Sequence, residues 1–175
     1  GIDVMAEFGK DFGLGKATGV ELPSERTGIM PSTAWKQKAK NEQWLPGETI
    51  SAAIGQGYVT VTPLQMASLV GTVANNGVTY RPRLVQAVMD RMSGNLQELP
   101  AVPRGKINAK PETFRVIKDA LADVVTKGTA TRAKSSMVTI GGKTGTAQVA
   151  TLRTGPEENI PKKFRDHAWF VAFAP

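Results

Sequence analysis

Four consecutive residues, Lys143-Thr144-Gly145-Thr146, bring together an amine, two hydroxyls and one position with no side chain. On an extended strand, side chains alternate, so Thr144 and Thr146 leave the same face with hydroxyls about 7 Å apart. Both can donate to one carboxylate. Gly145 lets a ligand lie against the backbone, and a peptide can add alongside as a further strand. The Thr146 N–H can act as an oxyanion donor, an element worth about 3–4 kcal/mol of transition-state stabilisation. Lys143 has the opposite parity, yet its four-carbon stem is long enough to curl round the strand and present a positive charge. The run has the makings of one wall of an acyl-transfer site. Such a wall needs a nucleophile facing it.

The chain does not supply one with a recognisable signature. Its serines are Ser24, Ser32, Ser51, Ser68, Ser93, Ser135 and Ser136, and none is followed by Lys at the third position. Ser93-Gly94-Asn95 has the form S-x-N and precedes Lys143, but Ser-Gly-Asn is ordinary turn chemistry, and we read Ser93 as a decoy. His167 is the sole histidine. A lone histidine beside a strand reads as a polar packing residue rather than a base. With one histidine and no cysteine, there is no disulfide framework and no metal-ligand spacing, so neither a metal nor another cofactor is expected.

The elements that must position the run follow from periodicity. Ile2, Met5 and Phe12, with Phe8 or Gly9 between, predict a short amphipathic helix over 2–12. Glycines at 13, 15, 19 and 28 predict irregular chain, and residues 29–50 also read as loop, with Lys36, Lys38 and Lys40 on a solvated face. Thr62-Pro63-Leu64-Gln65 is a capping box, opening a helix with Leu64, Ala67, Val70, Val73 and Ala74 on its apolar side and Asn76-Gly77 at its end. The stretch 78–99 predicts two strands joined near Ser93-Gly94. Pro111 opens a second helix, burying Phe114, Ile117, Leu121, Val124 and Val125, and Gly128 ends it. The 142–150 and 167–174 segments each read as a strand, the latter buried.

Composition sets the outer limits. The chain has 175 residues, 41% of them hydrophobic and 21% charged, enough apolar material for a core and too little low-complexity character for disorder. Net charge is +7, with the excess concentrated after residue 60, in the part that holds Lys143. At 6% aromatic residues and without a dense basic helix, nucleic-acid binding is not expected. No apolar run approaches the roughly 18 residues needed to span a bilayer.

A bare Lys-Thr-Gly arises by chance in roughly one chain in eight of this composition and is weak alone, but K-T-G is the third signature of penicillin-binding proteins and serine β-lactamases. The wider chain resembles the transpeptidase domain of class B penicillin-binding proteins, most closely the branch that serves cell elongation. The matching stretches are "FGLGKATGVELPSERTGIMP", "WKQK", "LPGETISAAIGQGYVTVTPLQMA", "VANNGVTYRPRLV", "GGKTGTAQV" and "HAWFVAFAP". They stand in the family's order and cover almost the whole chain.

The resemblance implies an α+β fold, as in penicillin-binding proteins and serine β-lactamases and incomplete here: a mainly antiparallel sheet that holds the 142–150 and 167–174 strands side by side, flanked by helices. It implies D,D-transpeptidation of peptidoglycan stem peptides ending in D-Ala-D-Ala, with β-lactams trapping the acyl-enzyme. Lys143 matches the catalytic lysine of the third motif, and Thr144, Gly145 and Thr146 match its substrate-binding positions. Cell-wall elongation proteins are the implied partners. The implied place is the periplasmic face of the inner membrane, through an anchor outside the chain. Residues 1–175 are then expected to be the carboxy-terminal part of one transpeptidase domain, with the S-x-x-K serine and the S-x-N motif upstream of Gly1, and to be inert alone. The competing expectations are a non-catalytic β-lactam-sensing or scaffolding module and, last, a secreted β-lactamase, whose compact form fits the long 13–50 segment poorly.

Overall fold

A computed structural model describes residues 1–148 and 161–174. The chain divides into two compact units, Gly1–Phe114 and Arg115–Pro175, and the division falls within a helix. Mixed helix and antiparallel strand is the architecture, as expected for a transpeptidase-type fold.

The first unit begins with α1 (Ile2–Asp11). Its buried face is Ile2 and Ala6, one turn apart, rather than the bulkier set anticipated, and Phe8 is exposed. The expected loop over 29–50 is replaced by two short helices. In α2 (Thr33–Lys40), the Ser32 hydroxyl accepts from the Trp35 N–H at 3.0 Å. In α3 (Pro46–Ala53), Glu48 reaches back to accept from the Leu45 N–H at 2.7 Å. Both caps are written in the sequence, as Ser32 three residues before Trp35 and as Pro46 with Glu48; the prolines and tryptophans nearby obscured them. Lys36 is not solvated. It is 2% exposed, and its ammonium meets Glu48 at 2.6 Å, the Gln43 carbonyl at 2.9 Å and Glu42 at 3.3 Å. The Tyr58 ring lies 5.8 Å from it.

Helix α4 (Pro63–Ala74) has the predicted capping box, with the Gln65 N–H on Thr62 Oγ1 at 3.1 Å and the Thr62 N–H on Gln65 Oε1 at 2.9 Å. Gln65 does more than cap. It is 1% exposed, and its amide donates to the carbonyls of Lys16 (2.8 Å) and Thr27 (2.6 Å), with Gly13 at 3.4 Å. The irregular 13–28 segment is thereby tied to the helix start. Glu25 accepts from the Thr18 hydroxyl and N–H and from the Gly19 N–H, and Arg81 and Arg104 donate to the carbonyls of Gly19 and Thr18. Val70 and Val73 are buried as predicted, but Ala67 is exposed.

Strand β1 (Val78–Tyr80) pairs antiparallel with β4 (Pro103–Lys106), and β2 (Ala87–Met89) with β3 (Leu96–Glu98). The β2–β3 turn falls where Ser93-Gly94 predicted it. Strand β4 escaped prediction because "PRGK" has neither alternation nor β-branched residues.

The helix α5 (Pro111–Thr126) starts at Pro111 as expected. Phe114 and Val125 are buried, but Ile117 is exposed. In the second unit, β5 (Gly141–Ala147) runs antiparallel to β6 (His167–Phe173) in unbroken register from Gly141↔Phe173 to Ala147↔His167. Residues 149 and 150 of the predicted strand lie outside the described residues. Strand β6 is not the buried strand anticipated, since Trp169 and Phe170 are 43% and 42% exposed.

Candidate acyl-transfer wall on strand β5

Two glycines place the site. A Cβ at Gly141 would stand 2.6 Å from the Phe173 ring, and one at Gly142 would stand 2.6 Å from the Phe170 ring. Such separations are far inside van der Waals contact, so only glycine lets the two aromatic rings of β6 lie across the start of β5. The strand then continues directly into 143–146.

Lys143 is exposed and Thr144 half-buried, while Gly145 and Thr146 are exposed. All four residues lie on one paired strand, opposite Val171, Phe170, Trp169 and Ala168 respectively. Among the described residues, β5 has β6 as its only strand neighbour. Its second edge is therefore unpaired by any described strand, leaving backbone donors and acceptors for another extended chain. A Cβ at Gly145 would meet nothing nearer than Trp169 Cβ, at 3.8 Å. That glycine answers to no packing demand from its neighbours.

The Lys143 ammonium donates to the Thr144 carbonyl at 2.6 Å, on the surface. Thr144 Oγ1 lies 3.0 Å from Thr129 Oγ1, either one able to donate. Thr129, just beyond α5, carries no local sequence signature and was missed for that reason. The threonines do not face a hydrophobic interior, which is the placement that would have excluded a ligand-binding role.

The decoy residues sit where ordinary structure accounts for them. Asp90 accepts from the N–H groups of Met92 and Ser93, and the Asn95 N–H donates to the Ser93 hydroxyl. The bonds to Asp90, first that from the Met92 N–H and then those from Ser93, hold its carboxyl below its usual range. Ser93 thus belongs to a self-contained turn. His167 is exposed at the start of β6, opposite Ala147. Among the described residues, no group of three or more His, Cys, Asp and Glu side chains could hold a metal ion, and no helix is long and apolar enough to cross a membrane. An open groove of about 230 Å³ in the first unit is lined by Leu64, Ala67, Ser68 and Tyr80 among others. It contains none of 143–146.

Comparison with known proteins bears on the whole chain. The profile of the penicillin binding protein transpeptidase domain matches residues 1–175. The peptidoglycan D,D-transpeptidase MrdA of Acinetobacter baumannii is 38% identical over 180 residues, covering 100% of this chain and 26% of that protein. MrdA of Escherichia coli K12 is 35% identical, with 100% and 28% covered. Among solved structures, PBP2 of Pseudomonas aeruginosa in complex with WCK 5153 superimposes with a TM-score of 0.78 at 34% identity, covering 100% of this chain and 36% of that one. A complex between PBP2 and MreC from Helicobacter pylori gives 0.78 at 29% identity, covering 98% and 29%. The chain therefore spans about a quarter of the length of these curated relatives.

Proposed function

The chain belongs to the penicillin-binding protein transpeptidase family, and from that premise we propose that it is the carboxy-terminal part of a serine-type peptidoglycan D,D-transpeptidase. The reaction joins stem peptides. A serine outside this chain attacks the penultimate D-Ala carbonyl of a peptide ending in D-Ala-D-Ala, the terminal D-Ala leaves, and the acyl group passes to an amine. β-Lactams enter as mimics of that dipeptide and stop at the acyl-enzyme.

The observation that carries this reading is the 143–146 run, exposed except for half-buried Thr144, on a strand with one edge paired among the described residues. In it, the hydroxyls of Thr144 and Thr146 hold the substrate's terminal carboxylate. Gly145 admits the peptide backbone, and the Thr146 N–H stabilises the oxyanion. Lys143 supplies the positive charge that helps set proton positions near the S-x-N serine. Its ammonium donates to the Thr144 carbonyl, an exposed contact that a ligand can replace. Cell-wall elongation proteins as partners are supported by the PBP2–MreC complex among the structural neighbours. Action at the periplasmic face of the inner membrane follows from the reaction's substrate.

A fluorescent penicillin tests the assignment. The longer polypeptide that contains this chain is expected to label covalently, its Lys143→Ala variant to lose labelling, and the 175-residue piece alone to stay dark. Labelling of the isolated piece would show that its own serine is the nucleophile and overturn the assignment.

A further inference from the structure

Thr129 stands outside the four residues singled out above, yet its hydroxyl lies 3.0 Å from that of Thr144. The chain around it is built to hold that position. At Gly128 a Cβ would lie 2.8 Å from Val124 Cα and 2.9 Å from the Val124 carbonyl oxygen, so only glycine can turn this tightly after α5. Ala130 follows, buried, with its N–H on the same Val124 carbonyl at 3.0 Å. Thr129 is thus fixed between two backbone anchors while its side chain stays exposed. Further back in α5, Leu121 lies beside Gly141 of β5, its Cβ 3.4 Å from where a Cβ on that glycine would stand. Helix and strand start thus meet at Leu121 and Gly141 as well as at the hydroxyl pair.

The chemistry turns on which oxygen donates. A threonine hydroxyl has one proton and two acceptor lone pairs. If Thr144 donates to Thr129, its proton is occupied and cannot meet an anion. If Thr129 donates instead, the Thr144 proton is free, and the incoming bond polarises it further. An arriving carboxylate selects the second arrangement. We propose that Thr129 is a positioning residue that donates to Thr144 and so directs the Thr144 proton to the anionic end of the acyl donor. This rests on the reading of β5 as the acyl-donor wall.

The test uses the longer polypeptide and compares second-order acylation rate constants for benzylpenicillin and for its methyl ester, which lacks the anion. In Thr129→Val, the benzylpenicillin constant should fall about fivefold, the loss of one hydrogen bond, while the ester constant stays within about twofold. Thr129→Ser, which restores a hydroxyl, should return the carboxylate preference. Should Thr129→Val fold poorly, Thr129→Ala gives the same comparison. Equal losses for acid and ester would mean a structural role only and would overturn the proposal, as would no loss for either. If the unsubstituted polypeptide is not acylated at all, both the transpeptidase reading and this proposal fall. If it is acylated but discrimination is unchanged in the variants, this proposal falls alone.

Discussion

Lys36 and Lys143 show how one residue type serves opposite ends in the two units. Lys36 is buried against Glu48, Glu42 and the Gln43 carbonyl. Lys143 is exposed, with its ammonium on the neighbouring carbonyl of Thr144. The same contrast separates Gln65, whose amide is filled by backbone partners inside the first unit, from Thr146, which faces solvent on β5. Where polar groups are buried, every hydrogen-bonding position must be filled, because an unfilled one is costly. Where they are exposed on a strand edge that no described strand pairs, no such demand applies. Buried polar residues in the first unit build structure; those on β5 are the ones the proposed function assigns to a ligand.

The sharpest way to break that contrast is at Gln65. Gln65→Leu strands the Thr62 N–H and the carbonyls at Lys16 and Thr27, and should cost about 3–5 kcal/mol, measured by denaturant unfolding. A loss under 1 kcal/mol on the order of an ordinary surface change would mean that the 13–28 segment does not depend on this side chain. Next comes Gly142→Ala, whose methyl meets the Phe170 ring. Overpacking of this kind costs about 1–3 kcal/mol and should reduce penicillin labelling of the longer polypeptide along with its thermal midpoint.

A pH series tests the Lys36 cluster. The Glu48 carboxyl is held below its ordinary value of 4.5, first by the Leu45 N–H and then by Lys36. Its contribution to stability is therefore present above pH 4.5 and lost as pH falls through the lower folded value. The Lys36 ammonium is raised above its ordinary 10.5, chiefly by Glu48; its contribution is complete below that value and lost as pH climbs past the folded one. The unsubstituted chain should thus lose thermal stability more steeply below pH 4.5 than Glu48→Gln does. Parallel slopes would show that the pair is not coupled to folding.

The smallest effect on stability is expected at Thr146. Thr146→Val should leave unfolding within about 0.5 kcal/mol of the original, while penicillin acylation of the longer polypeptide drops about tenfold or more, from loss of a charge-assisted hydrogen bond. A stability loss as large as that at Gln65 would erase the distinction between the two regions.

Sequence alone determined what local chemistry can specify. The capping box at Thr62 and Gln65, the Pro111 helix start and the turn at Ser93-Gly94 were legible because each depends on residues a few positions apart, whereas the pairing of the last two strands was expected only from the family resemblance. Parity on a strand already puts Thr144 and Thr146 on one face, but the 143–146 run is weak as a bare triplet, and it was the family resemblance of the wider chain that singled it out. Tertiary structure decided what distant residues settle between them. Lys36 lies in a run of alternating lysines that reads as solvated, and its burial depends on carboxylates supplied from beyond its own helix. Gln65 reads as a cap and becomes a tie across some 50 positions. Thr129 has no motif at all; it meets Thr144 only because a glycine ends α5 and two more glycines let β5 start beneath aromatic rings. Local hydrogen-bond and side-chain geometry repeats with the chain and can be read along it, whereas desolvation and partner choice depend on what the fold brings near.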